Sequence, residues 1–337
     1  METKIFTPDN LDEAGEIIRS GGLVAFPTET VYGLGASAFN GNAAKKIYEA
    51  KGRPSDNPLI VHICDKSQIY ELAEEISPLA EKLIDSFMPG PFTIILKKKE
   101  NISDAVTAGL DTVGIRFPKN QIAVDFISAA GVPIAAPSAN ISGKPSPTKA
   151  AHVIHDMSGR IDGIINGGAC EVGVESTIVD ASGDNPILLR PGGITLDMLR
   201  EVVPETEVDS HILKSVSADE QPKCPGMKYK HYSPDAEVIV VEGEKAAVRE
   251  KINELLEENS DKVTGVLTMY QSAYDNAVIL SAGNSNKDYA RLLFSALREF
   301  DSLGVEIVFA EFCEQDGYGL AVKNRLYKAA GNNVIHV

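Results

Sequence analysis

Four stretches combine side chains that packing alone would not select. In F-P-T-E-T-V-Y-G-L-G, residues 26–35, an apolar run ends at Pro27 and gives way to Thr28, Glu29 and Thr30. Hydroxyls and a carboxylate released where a strand leaves a sheet suit a ligand, because open α/β folds bind at strand ends. An ordinary strand-to-helix loop explains the same residues. Gly33-Leu34-Gly35 is too short for a dinucleotide fingerprint. In K-G-R-P-S-D-N-P, residues 51–58, Gly52 and Pro54 fix the backbone that carries Lys51 and Arg53. Cations on a rigid turn suit phosphate or carboxylate. A helix dipole that favours cations at its C-terminus accounts for nearby Lys45 and Lys46, but less well for Arg53, which lies past the helix end.

The third stretch is P-I-A-A-P-S-A-N-I-S-G-K-P-S-P-T, residues 133–148, where Ser138, Asn140, Ser142, Ser146 and Thr148 are spaced by Gly and Pro. Such a loop offers hydroxyls, an amide and free backbone N–H groups without bulk, which suits a phosphate chain or a zwitterion. The same residue types also build plain loops. The fourth pairs V-G-V-E-S-T-I-V-D, residues 172–180, with L-L-R-P-G-G-I-T, residues 188–195. Arg190 ends an apolar run there, and Arg116 does so in T-V-G-I-R-F-P. A buried arginine needs a charged partner, so a structural salt bridge competes with a binding role for both. No P-loop, G-x-S-x-G or H-E-x-x-H motif occurs. His62, within V-H-I, reads as a satisfied core histidine.

The elements that must position these residues alternate along the first two hundred positions. Helices are expected at 11–20, 42–51 with Asn42 as N-cap, 68–76, 79–87, 122–130 and 149–157. Strands are expected at 23–26, 59–63, 92–96, 112–117, 133–136, 163–165, 176–179 and 187–189. A mixed α/β sheet covered by helices fits that order. The polar, Pro-containing stretch up to Pro234 is long for a connection inside one domain. The expected division is a catalytic domain at 1–205, a linker at 206–234 and a smaller α/β domain at 235–337.

The net charge is −16, with −9 on residues 1–205 and −7 on residues 206–337. Phosphate contacts need clustered Lys and Arg, so stable nucleic-acid binding by the chain alone is not expected. An anion site must be a local basic pocket in an acidic shell. The four cysteines are far apart and form no C-x-x-C, which argues against a zinc ribbon and for reduced thiols in a cytoplasm. No signal peptide or membrane-spanning run is read.

Taken together, F-P-T-E-T-V-Y-G-L-G, K-x-R-P-S-D-N-P-L-I-V-H, S-A-N-x-S-G, E-S-T and L-R-P-G resemble the YrdC family of threonylcarbamoyl-AMP synthases. The linker P-G-M-K-Y-K-H-Y-S-P and the C-terminal unit extend the resemblance to the two-domain form. It implies a twisted, mixed parallel/antiparallel α/β sheet with a concave basic cavity, joined to a smaller Rossmann-like domain. The implied substrates are L-threonine, ATP with Mg2+ on its phosphates, and bicarbonate. The product is threonylcarbamoyl-AMP, passed to a tRNA threonylcarbamoyl transferase complex. The resemblance assigns catalysis to Lys51, Arg53, Ser138 and Asn140. It puts Lys51, Ser55, Thr112, Ser138, Ser146, Arg190 and Tyr232 on the ATP side, and Thr28, Arg116, Ala136 and Ser176 on the threonine side. No protein-bound metal is implied, and a monomer is expected. A non-catalytic RNA- or nucleotide-binding module, carbamoyl transfer to a protein thiol and a generic aminoacyl-adenylate enzyme are the rival readings.

Overall fold

The computed structural model describes residues 2–212, 222–226, 231–269, 273–313 and 317–337. The chain divides into two compact units, residues 1–142 with 146–228 and residues 143–145 with 229–337.

In the first unit the strands are β1 (Lys4–Phe6), β2 (Val24–Phe26), β3 (Gly33–Ser37), β4 (Ile60–His62), β5 (Phe92–Lys97), β6 (Thr112–Arg116), β7 (Ile134–Ala136), β8 (Gly163–Ile165), β9 (Thr177–Asp180), β10 (Ile187–Arg190) and β11 (Glu207–Val208). They form one sheet in the order β1-β8-β2-β3-β7-β4-β6-β5-β9-β10-β11. Pairing is mixed: β4 and β6 run parallel, as do β5 and β9, while β5–β6 and β9–β10 are antiparallel. The helices are α1 (Leu11–Arg19), α2 (Gly41–Lys51), α3 (Ile69–Leu72), α4 (Pro78–Phe87), α5 (Asp104–Thr107), α6 (Gln121–Ala130), α7 (Ala150–Met157) and α8 (Leu196–Val202). Helices α1 and α6 bury Ile18, Phe126 and Ile127 with Phe26, Ile134 and Ile165 of the sheet in one apolar cluster. The large mixed sheet expected from the sequence is present.

Local differences have physical causes. Asn40, not Asn42, caps α2: its Oδ1 accepts from the backbone N–H of Asn42 and Ala43, both at 3.1 Å. That satisfies two donors which the first helical turn leaves without partners. At the other end Gly52 takes a left-handed φ of 62°, a conformation glycine adopts without strain. The helix expected at 68–76 shrinks to a 3-10 turn, Lys66–Gln68, and the single turn of α3. The chain turns extended at Ala73, and Glu74 N donates to Lys97 O at 3.0 Å, so strand pairing displaces helix. The G-L-G segment, read as loop, is strand β3. A Cβ on Gly33 or Gly35 would stand 3.1 Å from the Phe26 ring, and on Gly35 also 2.7 Å from Ile134. Those glycines make room for an aromatic rather than a bend. Within the stretch expected as linker, β11 joins the first sheet beside β10, and residues 222–226 lie on the first unit, with Cys224 buried.

The second unit holds five parallel strands: β12 (Glu237–Glu242), β13 (Thr264–Thr268), β14 (Val278–Ser281), β15 (Ile307–Phe312) and β16 (Val334–His336). Their order is β14-β13-β15-β12-β16. The crossovers carry α9 (Lys245–Glu258), α10 (Asn286–Ser302) and α11 (Gly319–Ala329), as parallel pairing requires. Glu311 on β15 is buried yet satisfied, accepting from Thr268 Oγ1, Met269 N and the Tyr274 hydroxyl. Segment 143–145 belongs here, because Arg298 Nε and Nη2 donate to Pro145 O at 3.1 and 2.6 Å. Among the described residues, no helix is long and apolar enough to cross a membrane.

His62 closes β4 inside the first core. Its ring meets Phe26 edge-on at 5.6 Å, and Nδ1 lies 3.0 Å from Ile60 O. Burial, reinforced by the nearby Arg116 charge, pushes its pKa down from 6.5 to about 3. The unfolded chain therefore takes up this proton first. Stability from neutral His62 is complete above pH 6.5 and is lost as the pH falls toward 3. Denaturant midpoints measured from pH 7 to 4 should fall less steeply for His62→Gln than for the parent. Parallel curves would show that this ring titrates normally.

Candidate active site

The register aligns several strand ends. Arg116 pairs with His62, Thr177 with Phe92, and Arg190 with Ile178, so the end of β6, the start of β9 and the end of β10 share one edge of the sheet. Arg190 is 5% exposed. Its Nε and Nη2 donate to Ser176 O at 3.1 and 3.0 Å, Nη2 also to Ser176 Oγ at 3.2 Å, and Nη1 to Pro225 O at 3.3 Å. Ser176 Oγ lies 2.8 Å from Thr93 Oγ1. The P-G-G turn after Arg190 makes this approach possible. A Cβ on Gly192 would stand 2.4 Å from Thr177 N and 2.5 Å from Glu175 O. Thus E-S-T and R-P-G-G, separate in sequence, pack backbone against backbone.

Arg116 and Glu29 form a buried ion pair, Nη2 to Oε1 at 2.8 Å, with side-chain exposures of 5% and 6%. Neither carboxylate oxygen of Glu29 accepts an aligned hydrogen bond, and Arg116 Nε and Nη2 donate none. Removing one partner of such a pair costs about 3–5 kcal/mol, because the other charge is left buried and uncompensated. Thr28 precedes Glu29 in a tight turn: its Oγ1 donates to Val31 O at 2.6 Å and accepts from the N–H of Thr30 and Val31. The Cys170 thiol faces the same two charges, and burial pushes its pKa up to about 12, so it stays protonated.

On α2, Lys51 is 2% exposed. Its Nζ donates to Ser138 O at 2.5 Å and to Asn140 O, and approaches Asn140 Oδ1 at 3.4 Å. Ser138 Oγ donates to Asn140 Oδ1 at 2.6 Å. The lysine therefore clamps the S-A-N loop to the helix end. Arg53 reaches the carbonyls of Asn57 and Pro58 at 3.3 and 3.2 Å. Pro58 lines a nearly filled hollow of about 10 Å³, together with Thr93, Thr112, Gly114, Ile178 and Lys223 to Pro225. Arg190 binds the Pro225 carbonyl of the same wall. Two guanidinium groups thus hold cavity-wall backbone, and Cys224 closes it among Ile60, Ile95, Ile178 and Leu189.

Of the residues expected to bind, the structure joins Ser176 to Arg190, and Lys51 to Ser138 and Asn140. Thr112 lines the same small hollow. It stands at the far end of β6 from Arg116, four residues or about 13 Å away on the same face. Ala136 ends β7 opposite Ile60. Ser146 donates to the buried Glu175 carboxylate at 2.5 Å. Ser55 is exposed and lines a different hollow, with Asn42, Lys45 and Ser103. Tyr232 belongs to the second unit, its ring 5.0 Å from Phe294. Sequence reasoning gave no part to Thr93 or Glu175. The signals were present: a lone hydroxyl in the apolar run F-T-I-I-L, and the acid of E-S-T.

Comparison with known proteins agrees with this architecture. Residues 16–192 match the Sua5/YciO/YrdC family model, described as telomere recombination, and residues 194–331 match the threonylcarbamoyl-AMP synthase C-terminal domain. The threonylcarbamoyl-AMP synthase of Pyrococcus abyssi is 50% identical over 325 residues, covering 96% of this chain and 95% of its own. That of Bacillus subtilis is 46% identical, covering 99% and 100%. The crystal structure of P. abyssi Sua5 complexed with L-threonine superposes with a TM-score of 0.95 at 48% identity, covering 99% of this chain and 100% of that one. With both models matched in order along the chain, this protein belongs to the Sua5/YciO/YrdC family in its two-domain form.

Proposed function

We propose that this chain is an L-threonylcarbamoyladenylate synthase, a nucleotidyltransferase that makes threonylcarbamoyl-AMP and pyrophosphate from L-threonine, bicarbonate and ATP. The observation that carries the reading is a pair of buried arginines, Arg116 and Arg190, at one edge of a sheet in a protein of net charge −16. Buried cations in an acidic molecule fit anionic substrates. Relatives named for this activity align over nearly the whole chain.

In the proposed mechanism, bicarbonate gives CO2 and hydroxide. The unprotonated threonine amine adds to the CO2, and the N–H proton released leaves with the hydroxide as water, giving a carbamate. A carbamate oxygen then attacks the α-phosphate, and pyrophosphate leaves. The nucleophile is already an oxyanion, so no Ser–His dyad is needed. The obstacle is repulsion between two anions, about 4 kcal/mol for unit charges 4 Å apart at an effective dielectric of 20. Lys51, Arg53 and Arg190 oppose it by electrostatic stabilisation. Among the described residues no cluster of His, Cys, Asp and Glu converges as a metal site. Mg2+ is assigned to the ATP phosphates as part of the substrate. Arg116 takes the threonine carboxylate, beside Thr28, Ala136 and Ser176. Ser55, Thr112, Ser138 and Ser146 complete the nucleotide side, with Asn140 holding the loop. The mixed anhydride hydrolyses readily, and residues 222–226 over the sheet help to exclude water. A tRNA threonylcarbamoyl transferase complex in the cytoplasm consumes the product, and the synthase acts as a monomer.

Two measurements test this. Lys51→Ala and Arg53→Ala should each lower threonine-dependent pyrophosphate release at least about a hundredfold with the far-UV spectrum intact. Near-normal turnover in both would misplace the site. Second, 13C-bicarbonate should label the adenylate product by one mass unit per molecule, and turnover should cease without bicarbonate. An unlabelled threonyl-adenylate would instead make this an aminoacyl-adenylate enzyme.

A further inference from the structure

For three residues the chain of the first unit passes into the second. Residues 143–145 belong there, while their neighbours Ser142 and Ser146 stay with the first unit. They form the tip of the loop whose Ser138 and Ser146 are placed on the proposed nucleotide side. That loop runs from the end of β7 at Ala136 to the start of α7 at Ala150 with no helix or strand of its own. Ordering each residue costs about 1–2 kcal/mol of backbone entropy, so hydrogen bonds from outside must hold it. On the first-unit side, Ser142 N donates to Lys51 O and Tyr32 N to Pro147 O, both at 2.9 Å. At the tip the donors come from the second unit. Ser233 N donates to Gly143 O at 2.9 Å, and Lys144 pairs with Asp235. Arg298 of α10 gives Nε and Nη2 to the Pro145 carbonyl at 3.1 and 2.6 Å. One helical turn on, Asp301 accepts from Asp235 N and Ala236 N at 2.7 and 3.2 Å. Two donors of one planar guanidinium fix the direction of a carbonyl as well as its distance. The Pro145 carbonyl and Ser146 N share a planar peptide group, so this grip sets how Ser146 enters the site. Ser146 is fully buried, and its hydroxyl donates to Glu175, the neighbour of Ser176.

We propose that Arg298 is a positioning residue of the nucleotide site: it holds the Pro145 carbonyl, and through that peptide it orients Ser146 and keeps the S-A-N loop in its binding conformation. The inference rests on the synthase reading and gives the second unit a part in the reaction. The coupling runs along the covalent chain, so the second unit need not touch substrate to exert it. The residues assigned to threonine lie outside the loop tip, with Arg116 in β6, Ala136 in β7 and Ser176 just ahead of β9. Loss of the grip therefore weakens nucleotide binding more than threonine binding.

The test is calorimetry with ATP and with L-threonine on the full chain, joined to amide hydrogen exchange of the unliganded protein. Arg298→Ala should weaken ATP at least about fivefold and L-threonine by less than about twofold, because apparent affinity falls with the fraction of molecules whose loop is in place. Arg298→Lys, which keeps a cationic donor for the Pro145 carbonyl, should lose less ATP affinity than Arg298→Ala. Exchange at the N–H groups of Ala139 and Ser142, both hydrogen-bonded in the parent, should speed up in Arg298→Ala. A variant that is only less stable would lose both ligands alike. A smaller loss of ATP, an equal loss of both ligands, or unchanged exchange overturns the proposal. Should Arg298→Ala not fold, Arg298→Lys is compared with the parent instead. A deficit for ATP alone, with faster exchange at Ala139 and Ser142, then supports the assignment, and an equal deficit or none overturns it. A parent that binds ATP but releases no pyrophosphate with L-threonine and bicarbonate overturns the synthase reading, while binding and exchange still decide the loop grip. A parent that binds no ATP overturns both.

Discussion

Buried charge at the ends of apolar strands is the constraint on which the first unit depends. Arg190 lies almost out of solvent, and Ser176 and Pro225 supply carbonyls to its guanidinium. A guanidinium has five donors in a rigid fork. Meeting them draws three separate segments to one point: the end of β10, the E-S-T strand start and the C-P-G stretch. Gly192 follows from that demand, because any side chain there would push the two backbones apart. Arg116 solves the same problem differently. Its partner is a carboxylate, and the contact leaves hydrogen-bonding capacity on both sides. One arginine is thus built into the wall, and the other is left poised.

Lys51 carries the same logic to the other side of the sheet. Its ammonium binds the carbonyls of Ser138 and Asn140, so the conformation of the S-A-N loop is tied to the last turn of α2. The proposed cation of the nucleotide site is therefore also a structural clamp. In such an arrangement charge and loop shape are coupled, since a displaced lysine releases the hydroxyl and amide that the loop presents. Arg53 works alike on the N-P turn, holding the carbonyls of Asn57 and Pro58 at the cavity wall.

The second unit shows how differently a buried acid behaves when its environment is complete. Glu311 is as deeply buried as Glu29, but a hydroxyl, a phenol and a backbone N–H converge on it. Hydrogen bonds to a carboxylate offset the cost of desolvation. Glu311 therefore reads as architecture, whereas Glu29, which lacks such donors, reads as half of an interaction.

The sequence by itself determined the element types of most of the first unit, since strand and helix periodicity follows from local apolar spacing. It also determined the family, because five ordered motifs are dense enough to be specific. Local pattern misled where a distant partner decided: G-L-G became strand because Phe26 needs the space, and residues 73–74 left helix to pair with the end of β5. Lys51 and Arg190 were legible as unusual residues, but nothing in their neighbours said what they would hold. Only the tertiary structure decided that Lys51 clamps Ser138 and Asn140, that Thr93 meets Ser176, and that Glu29 faces Arg116. Those contacts join residues 83 to 89 positions apart in all three cases, and pairing across such separations is set by sheet register, which no local window of sequence contains.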